Sequence, residues 1–326
     1  MLTLTGDNPV GMSLDRLELA YDIRDPRGAD FVFNIQAAQT AQQTIREEHL
    51  TFSQSLSPEV QVDTATATRF MRLHAHSGPL RVSYAATIDV DHHYADPDTL
   101  AEVPVRLLPL DVVPYIYPSR YCESDRLLKL ASDEFGDLWQ GYSRVLAIQH
   151  WVQKRVTFAS NTSDSSTSAV DTLIERVGVC RDFTHLMIAL CRALSIPARI
   201  ATGTDYGASA ALGPPDLHAY VEVYLGHRWY LFDASGTGIP MGFMRFGTGR
   251  DAADVAFATI FGDIRATAPV IHIRALEGVG LETPHHRRDA ISTAEGCAGA
   301  QDVPGSVLET AHAVAPGVHF TKQLPD

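Results

Sequence analysis

The sequence predicts an α+β protein in which an antiparallel β-sandwich precedes a region where helices pack on strands. Three observations carry that expectation. Apolar and polar residues alternate over much of 10–115, helical spacing takes over between 124 and 194, and short strand-like runs return from 198 to 274. A chain of 326 residues is about twice a common domain size. The expected division is a β-sandwich domain at 1–115, a second domain at 116–280 and a tail at 281–326.

In the first region Leu17, Leu19, Tyr21 and Ile23 share one strand face. Phe31, Phe33 and Ile35 share another, and 84–90 reads as a further half-buried strand. Turn signals at Asp25-Pro26-Arg27-Gly28 and Ser77-Gly78-Pro79 separate the strands at the short intervals of a sandwich. Pro109, Pro114 and Pro118 mark 107–119 as a linker, because proline brings no backbone N–H to a helix or sheet. Ser124 or Asp125 is placed to cap a helix ending near Phe135, and Leu146, Ile148 and Val152 give a second helix over 143–155. Residues 160–168 are all Ser, Thr, Asn or Asp, whose side chains bond to nearby backbone, so a loop is expected there. Phe183, Met187, Leu190, Cys191 and Leu194 form one stripe of a helix over 180–194, which Ile196-Pro197 ends. Strands are expected at 198–202, 219–225, 229–232 and 270–274. Beyond 283 large apolar side chains are sparse and no period is sustained, which predicts a mostly disordered tail.

Charge and cysteine usage narrow the setting. With 26 Lys and Arg against 39 Asp and Glu, the formal charge of −13 is repelled by phosphate backbones and anionic lipid, so neither nucleic acid nor membrane is expected as a partner. No uninterrupted run of about 18 apolar residues is available to span a membrane. The first residues lack the basic and apolar segments of a secretory signal, which makes the cytoplasm the expected location. The cysteines, Cys122, Cys180, Cys191 and Cys297, form no CxxC pair or disulfide framework, as suits a reducing compartment. Glycine-rich phosphate loops are missing from the sequence, so no nucleotide cofactor is expected. A metal site from Cys180, His185 and Cys191 fails on helix geometry, because His185 points about 140° away from Cys180. His74 with His76, and His92 with His93, read as solvated strand histidines. Arg250, Asp251 and Asp254 read as a structural ion-pair cluster.

Cys180 stands apart from the other thiols. In Gly178-Val179-Cys180-Arg181-Asp182 it opens a helix, where the positive end of the macrodipole favours the thiolate that attacks carbonyls. Cys191 lies within the apolar stripe and reads as packing. A nucleophile needs a base, and the base an orienting partner. Residues 216–233 read as a β-hairpin turning at Gly226-His227. If those two residues are the loop, Leu225 faces Arg228 and Tyr220 faces Asp233. His218 then lies diagonal to Asp233 on the same face. A slip of one residue would send Asp233 to the other face and break the pair. Glu222, on the same strand face, is a competing partner for His218.

Three separated blocks in order then resemble the core motifs of the transglutaminase-like superfamily: Gly178-Val-Cys180-Arg-Asp-Phe-Thr-His185 with Leu190-Cys-Arg-Ala-Leu-Ser-Ile-Pro-Ala-Arg199, His218-Ala-Tyr-Val-Glu-Val-Tyr224, and Trp229-Tyr-Leu-Phe-Asp233. The resemblance implies catalytic roles for Cys180, His218 and Asp233 and favours Asp233 over Glu222. It also implies a papain-like core, with a cysteine-bearing helix on an antiparallel sheet that carries His and Asp. The first region, 117–125 and 249–256 resemble the bacterial branch that carries an N-terminal β domain. The implied activity is hydrolysis of a peptide or amide bond through an acyl-enzyme thioester, without a cofactor or metal. Transamidation or deamidation of protein glutamine, or a binding module that keeps the fold, are the alternatives. The backbone N–H of Cys180 is one expected oxyanion donor; Trp151, Tyr142 and the loop around Asn161 are candidates for the second.

Overall fold

The computed structural model describes residues 8–207 and 216–294. Two antiparallel sheets are built mainly by the N-terminal region. In one, Val10–Ile23 lies between Gly78–Val90 and the pair Ile264–Ala266 and Val270–Ala275, with Gln43–Phe52 on the far side of Gly78–Val90. In the other, the order is Ala258–Phe261, Ala29–Phe33, Arg69–Ala75 and Glu59–Val62. Strict alternation of burial along Gly78–Val90 is the period-two signature read from its sequence.

A third antiparallel sheet runs in the order Arg228–Phe232, Leu217–Leu225, Ala198–Asp205 and Phe243–Gly249. Ala198, Ile200, Ala219, Val221, Val223 and Phe232 pack with the helices Ser124–Phe135, Tyr142–Arg155 and Cys180–Ala193 in one apolar cluster. Ala201, Tyr220, Leu231 and Phe243 belong instead to the cluster of the N-terminal sheets. The third sheet is therefore covered on both faces, helices on one and strands on the other.

Two expectations need correction, and two elements were not foreseen. Residues 258–275, assigned to the second domain, pair with Val10–Ile23 and Ala29–Phe33 and complete the N-terminal sheets. The strand Phe243–Gly249 was not expected. It is buried at every position, so it shows no alternation, and its two glycines weaken the propensity signal. Helix Ala169–Glu175 follows the polar loop, opened by Ser168 and Asp171, which satisfy each other's backbone N–H groups. The tail expected to be disordered from 281 contains a buried strand, Ala290–Ser292, paired with His93–Ala95, because Ala290 and Ile291 find apolar partners. The remainder of that tail, with Cys297, lies outside the described residues.

The helix that opens at Cys180 is fixed in place. Twelve of its residues are buried, from Asp182 to Ala193, and each buried Leu, Ile, Met or Phe contributes about 1.5–3 kcal/mol. Arg192 near its C-terminus is buried too, donating to the carbonyls of Ala198 (2.9 Å) and Tyr117 (3.0 Å), to Ser119 Oγ (2.9 Å) and to the Arg250 carbonyl. These bonds lash the 117–125 and 249–256 blocks to the helix. Ser124 begins the helix Ser124–Phe135 rather than capping it, and Glu123 occupies the cap position.

Candidate active site

The hairpin Leu217–Leu225 and Arg228–Phe232 turns at Gly226 and His227, with φ of 52° and 67°. Both residues are left-handed, as a two-residue type I′ turn requires. Leu225 pairs with Arg228 and Val221 with Phe232, the register expected from that turn. The strand ends at Phe232, and Asp233 follows with its carboxylate Oδ1 3.5 Å from His218 Nε2. That separation is an ion-pair contact, longer than a good hydrogen bond, and Nε2 has no closer partner.

Asp233 is held from its other side. Ser235 donates to Oδ1 from its backbone N–H (3.1 Å) and hydroxyl (2.7 Å), while the Gly238 N–H donates to Oδ2 (2.7 Å). Gln153, from the helix Tyr142–Arg155, donates to the Asp233 carbonyl at 3.0 Å. Although burial pushes the carboxyl up, His218 and these donors outweigh it and hold Asp233 below its ordinary value. Burial likewise disfavours a charged imidazole, yet Asp233 and the Cys180 thiol together raise His218 well above its ordinary range. The carboxylate and the thiol thus both favour the charged form of His218 against its burial.

Cys180 is half-buried at the first position of its helix, with Sγ 3.7 Å from the Leu217 carbonyl oxygen, next to His218 in sequence. The first-turn N–H groups have no partners within a helix. Asp182 accounts for one upstream, its Oδ2 accepting the Val179 N–H at 2.8 Å, while Oδ1 accepts the Ser163 hydroxyl at 2.8 Å. A Cβ on Gly178 would stand 2.8 Å from Asp182 Cβ, so glycine is needed for this close approach. Arg181 donates to Asp182 Oδ1 (3.1 Å), the Asp164 carbonyl (2.6 Å) and Ser163 Oγ, tying the polar loop to the helix start.

Sequence reasoning placed other groups with mixed results. Trp151 donates its indole N–H to Glu134 at 3.0 Å, and Tyr142 is packed on Phe232 with ring centroids 4.8 Å apart. The Trp151 donor is thereby committed away from the site. His185 is buried, stacked on Tyr121 at 5.0 Å, and accepts the Ala252 N–H at 3.2 Å; burial lowers it to about 3. Cys191 is buried and burial pushes its thiol up. Glu222, the competing orienter, is taken by Arg199 (2.7 Å) and Arg245. Arg250 pairs with Asp254 at 2.9 Å, but Asp251 lies outside that pair, accepting the Tyr121 and Ala253 N–H groups. His92, expected to be solvated, has both ring nitrogens buried, and burial lowers it to about 4. Among the described residues no group of three or more His, Cys, Asp or Glu side chains is placed to hold a metal ion.

Two further buried groups adjoin His218, and the sequence reading assigned a role to neither. Tyr220 lies edge-on to it with centroids 4.7 Å apart, and Asp205 accepts the Tyr220 hydroxyl. Alternation does put Tyr220 on the His218 face, but no local signal links Asp205, thirteen residues upstream, to that ring.

A cysteine at a helix start, facing a histidine and a carboxylate at the end of an antiparallel sheet, defines a papain-like α+β core. The chain belongs to the transglutaminase-like superfamily: residues 131–234 match its core, and residues 16–111 match the bacterial transglutaminase N-terminal domain. A candidate cysteine protease from Cytophaga hutchinsonii, known from its crystal structure, is 39% identical with a TM-score of 0.80, over 88% of this chain and 98% of that one. An uncharacterized protein of Mycobacterium leprae (strain TN) is 28% identical over 116 residues, 34% of this chain and 42% of the relative. This chain thus matches about two fifths of the length of that curated relative.

Proposed function

We propose that the protein is a thiol-dependent hydrolase of peptide or amide bonds, with Cys180 as nucleophile, His218 as proton carrier and Asp233 as orienting carboxylate. The observation that carries this reading is the placement of buried His218 between the Asp233 carboxylate, 3.5 Å from its Nε2, and the Cys180 thiol, which lies against the preceding residue's carbonyl and, with Asp233, raises the imidazole. An imidazole in this place can take the thiol proton and hold it as the imidazolium of a thiolate–imidazolium pair. The thiolate attacks the carbonyl carbon, and the Cys180 N–H at the helix start is an oxyanion donor. His218 gives its proton to the departing amine, leaving a thioester on Cys180. Water, deprotonated by neutral His218, then releases the acid and restores the thiolate. The cysteine protease description of the Cytophaga relative accords with hydrolysis, and the substrate class is a peptide or protein amide.

Single-turnover mass spectrometry with glutaminyl and other peptide amides, with and without a primary amine, tests the reading. An acyl adduct on Cys180 that resolves to the free acid, and is lost in Cys180→Ala, is the expected result. The variant should lose at least about 10⁴-fold in turnover. No adduct on Cys180, or amine incorporation that outruns hydrolysis, overturns it.

A further inference from the structure

Asp205 ends the strand Ala198–Asp205 and has no part in the chemistry above. Its buried carboxylate accepts the Tyr220 hydroxyl on Oδ2 and, on Oδ1, the backbone N–H groups of Gly207 and Ile239. Tyr220 is wedged between His218 and Phe243, each 4.7 Å away between ring centroids. Gly238 closes the group from the other side. A Cβ there would stand 2.5 Å from Tyr220 Oη and 3.2 Å from both Asp205 Oδ2 and His218 Nε2. Those last two atoms are therefore separated by at most twice that distance, across a space that glycine leaves open.

The same short turn serves both carboxylates. Asp233 accepts the N–H of Gly238, and Asp205 accepts that of the next residue, Ile239. We propose that Asp205 is a second positioning carboxylate for His218, acting across Gly238 by its charge and through Tyr220 by contact. This rests on the thiol-hydrolase reading and extends it. The groups facing the imidazole are then Cys180 from the helix start, Asp233 from the turn after its strand, Asp205 from the end of the neighbouring strand, and Tyr220 from its own strand. Arg245, across the sheet from this stretch, is committed to Glu222 and Thr293. Burial pushes Asp205 up, on balance above its ordinary value, and the charge of His218 opposes that rise; by reciprocity a charged Asp205 favours the charged imidazole.

NMR titration of histidine-labelled protein, followed at His218, separates positioning from bulk structure. In parallel, Cys180 alkylation by iodoacetamide is measured against pH. Asp205→Asn should lower the His218 midpoint by about one pH unit, an opposite charge at this range being worth 1–3. The alkaline limb of the alkylation profile should fall with it. Tyr220→Phe should move both in the same direction by less, and Asp205→Glu should restore most of the shift. If Asp205→Asn does not fold, Tyr220→Phe decides alone. Folded variants that leave the His218 midpoint in place, while Asp233→Asn moves it, overturn this inference and spare the thiol reading. A midpoint that Asp233→Asn also fails to move, with Cys180 no more reactive than a free thiol, overturns both.

Discussion

Glu222 and His218 lie four residues apart on one strand and one face, both buried, and their surroundings are built to opposite ends. Glu222 is closed off by Arg199 at 2.7 Å and by Arg245, with Arg199 lying over the Trp229 ring at 4.2 Å and Arg245 reaching Thr293 at 2.8 Å. Burial pushes this carboxyl up, yet the two guanidiniums bring it down to about 2. Every partner there is fixed and none can react. At His218 the nearest carboxylate oxygen stands 3.5 Å off and one neighbour is a half-buried thiol. A saturated ion cluster organises the sheet, whereas the His218–Asp233 pair has slack and a thiol beside it, as the proposed hydrolysis needs.

Substitution at each end should separate these roles, beginning with the largest effect. His218→Ala should cut turnover by about 10⁴-fold, and its cost in stability, about 3 kcal/mol for leaving the buried Asp233 carboxylate without its ion-pair partner, should be too small to account for that loss, since Asp233 keeps its Ser235 and Gly238 donors. Steady-state kinetics and urea unfolding read the two numbers. Glu222→Gln should cost about 3–5 kcal/mol by leaving two buried guanidiniums uncompensated, while the folded variant keeps its turnover. A urea midpoint unchanged in that variant would show that the cluster is not structural.

Acid sharpens the same contrast. Glu222 is depressed from 4.5 to about 2 in the folded protein, so its contribution is present above the unfolded value and disappears as pH falls through about 2. The amount at stake is on the order of 3 kcal/mol. Urea midpoints between pH 5 and pH 2 should fall for the native chain, with that component absent in Glu222→Gln. Smallest of all, Ser163→Ala removes one of the bonds to Asp182 that steady the helix start and should cost about 1 kcal/mol. A much larger loss of Cys180 reactivity than of stability would show that the polar loop takes part in the site.

The His218–Asp233 contact was legible because a two-residue turn and strict alternation leave a single register. The helix start at Cys180 was equally plain from its apolar stripe. Asp205 was invisible for a physical reason: alternation gives the face of a residue but not its neighbours across strands, and Asp205 sits where one strand ends. Phe243–Gly249, buried on both faces, has no alternation to read. Helix Ala169–Glu175 did leave a signal, the Ser168 and Asp171 spacing of a capping box, masked by eight preceding polar residues. The N-terminal strands were readable one by one, but nothing in a local pattern says that residues 258–275 come back to pair with them.

That return sets an order of events during synthesis. Val10–Ile23 leaves the ribosome before its partners, and Gly78–Val90 can join it soon after, but its other edge stays open until Ile264–Ala266 and Val270–Ala275 emerge. At about 5–20 residues per second the wait is on the order of 10–40 s. Through that interval a long strand with an apolar face shows unpaired backbone to its surroundings, the template on which chains join edge to edge. Strands made long after Val10–Ile23 are thus the ones that protect it.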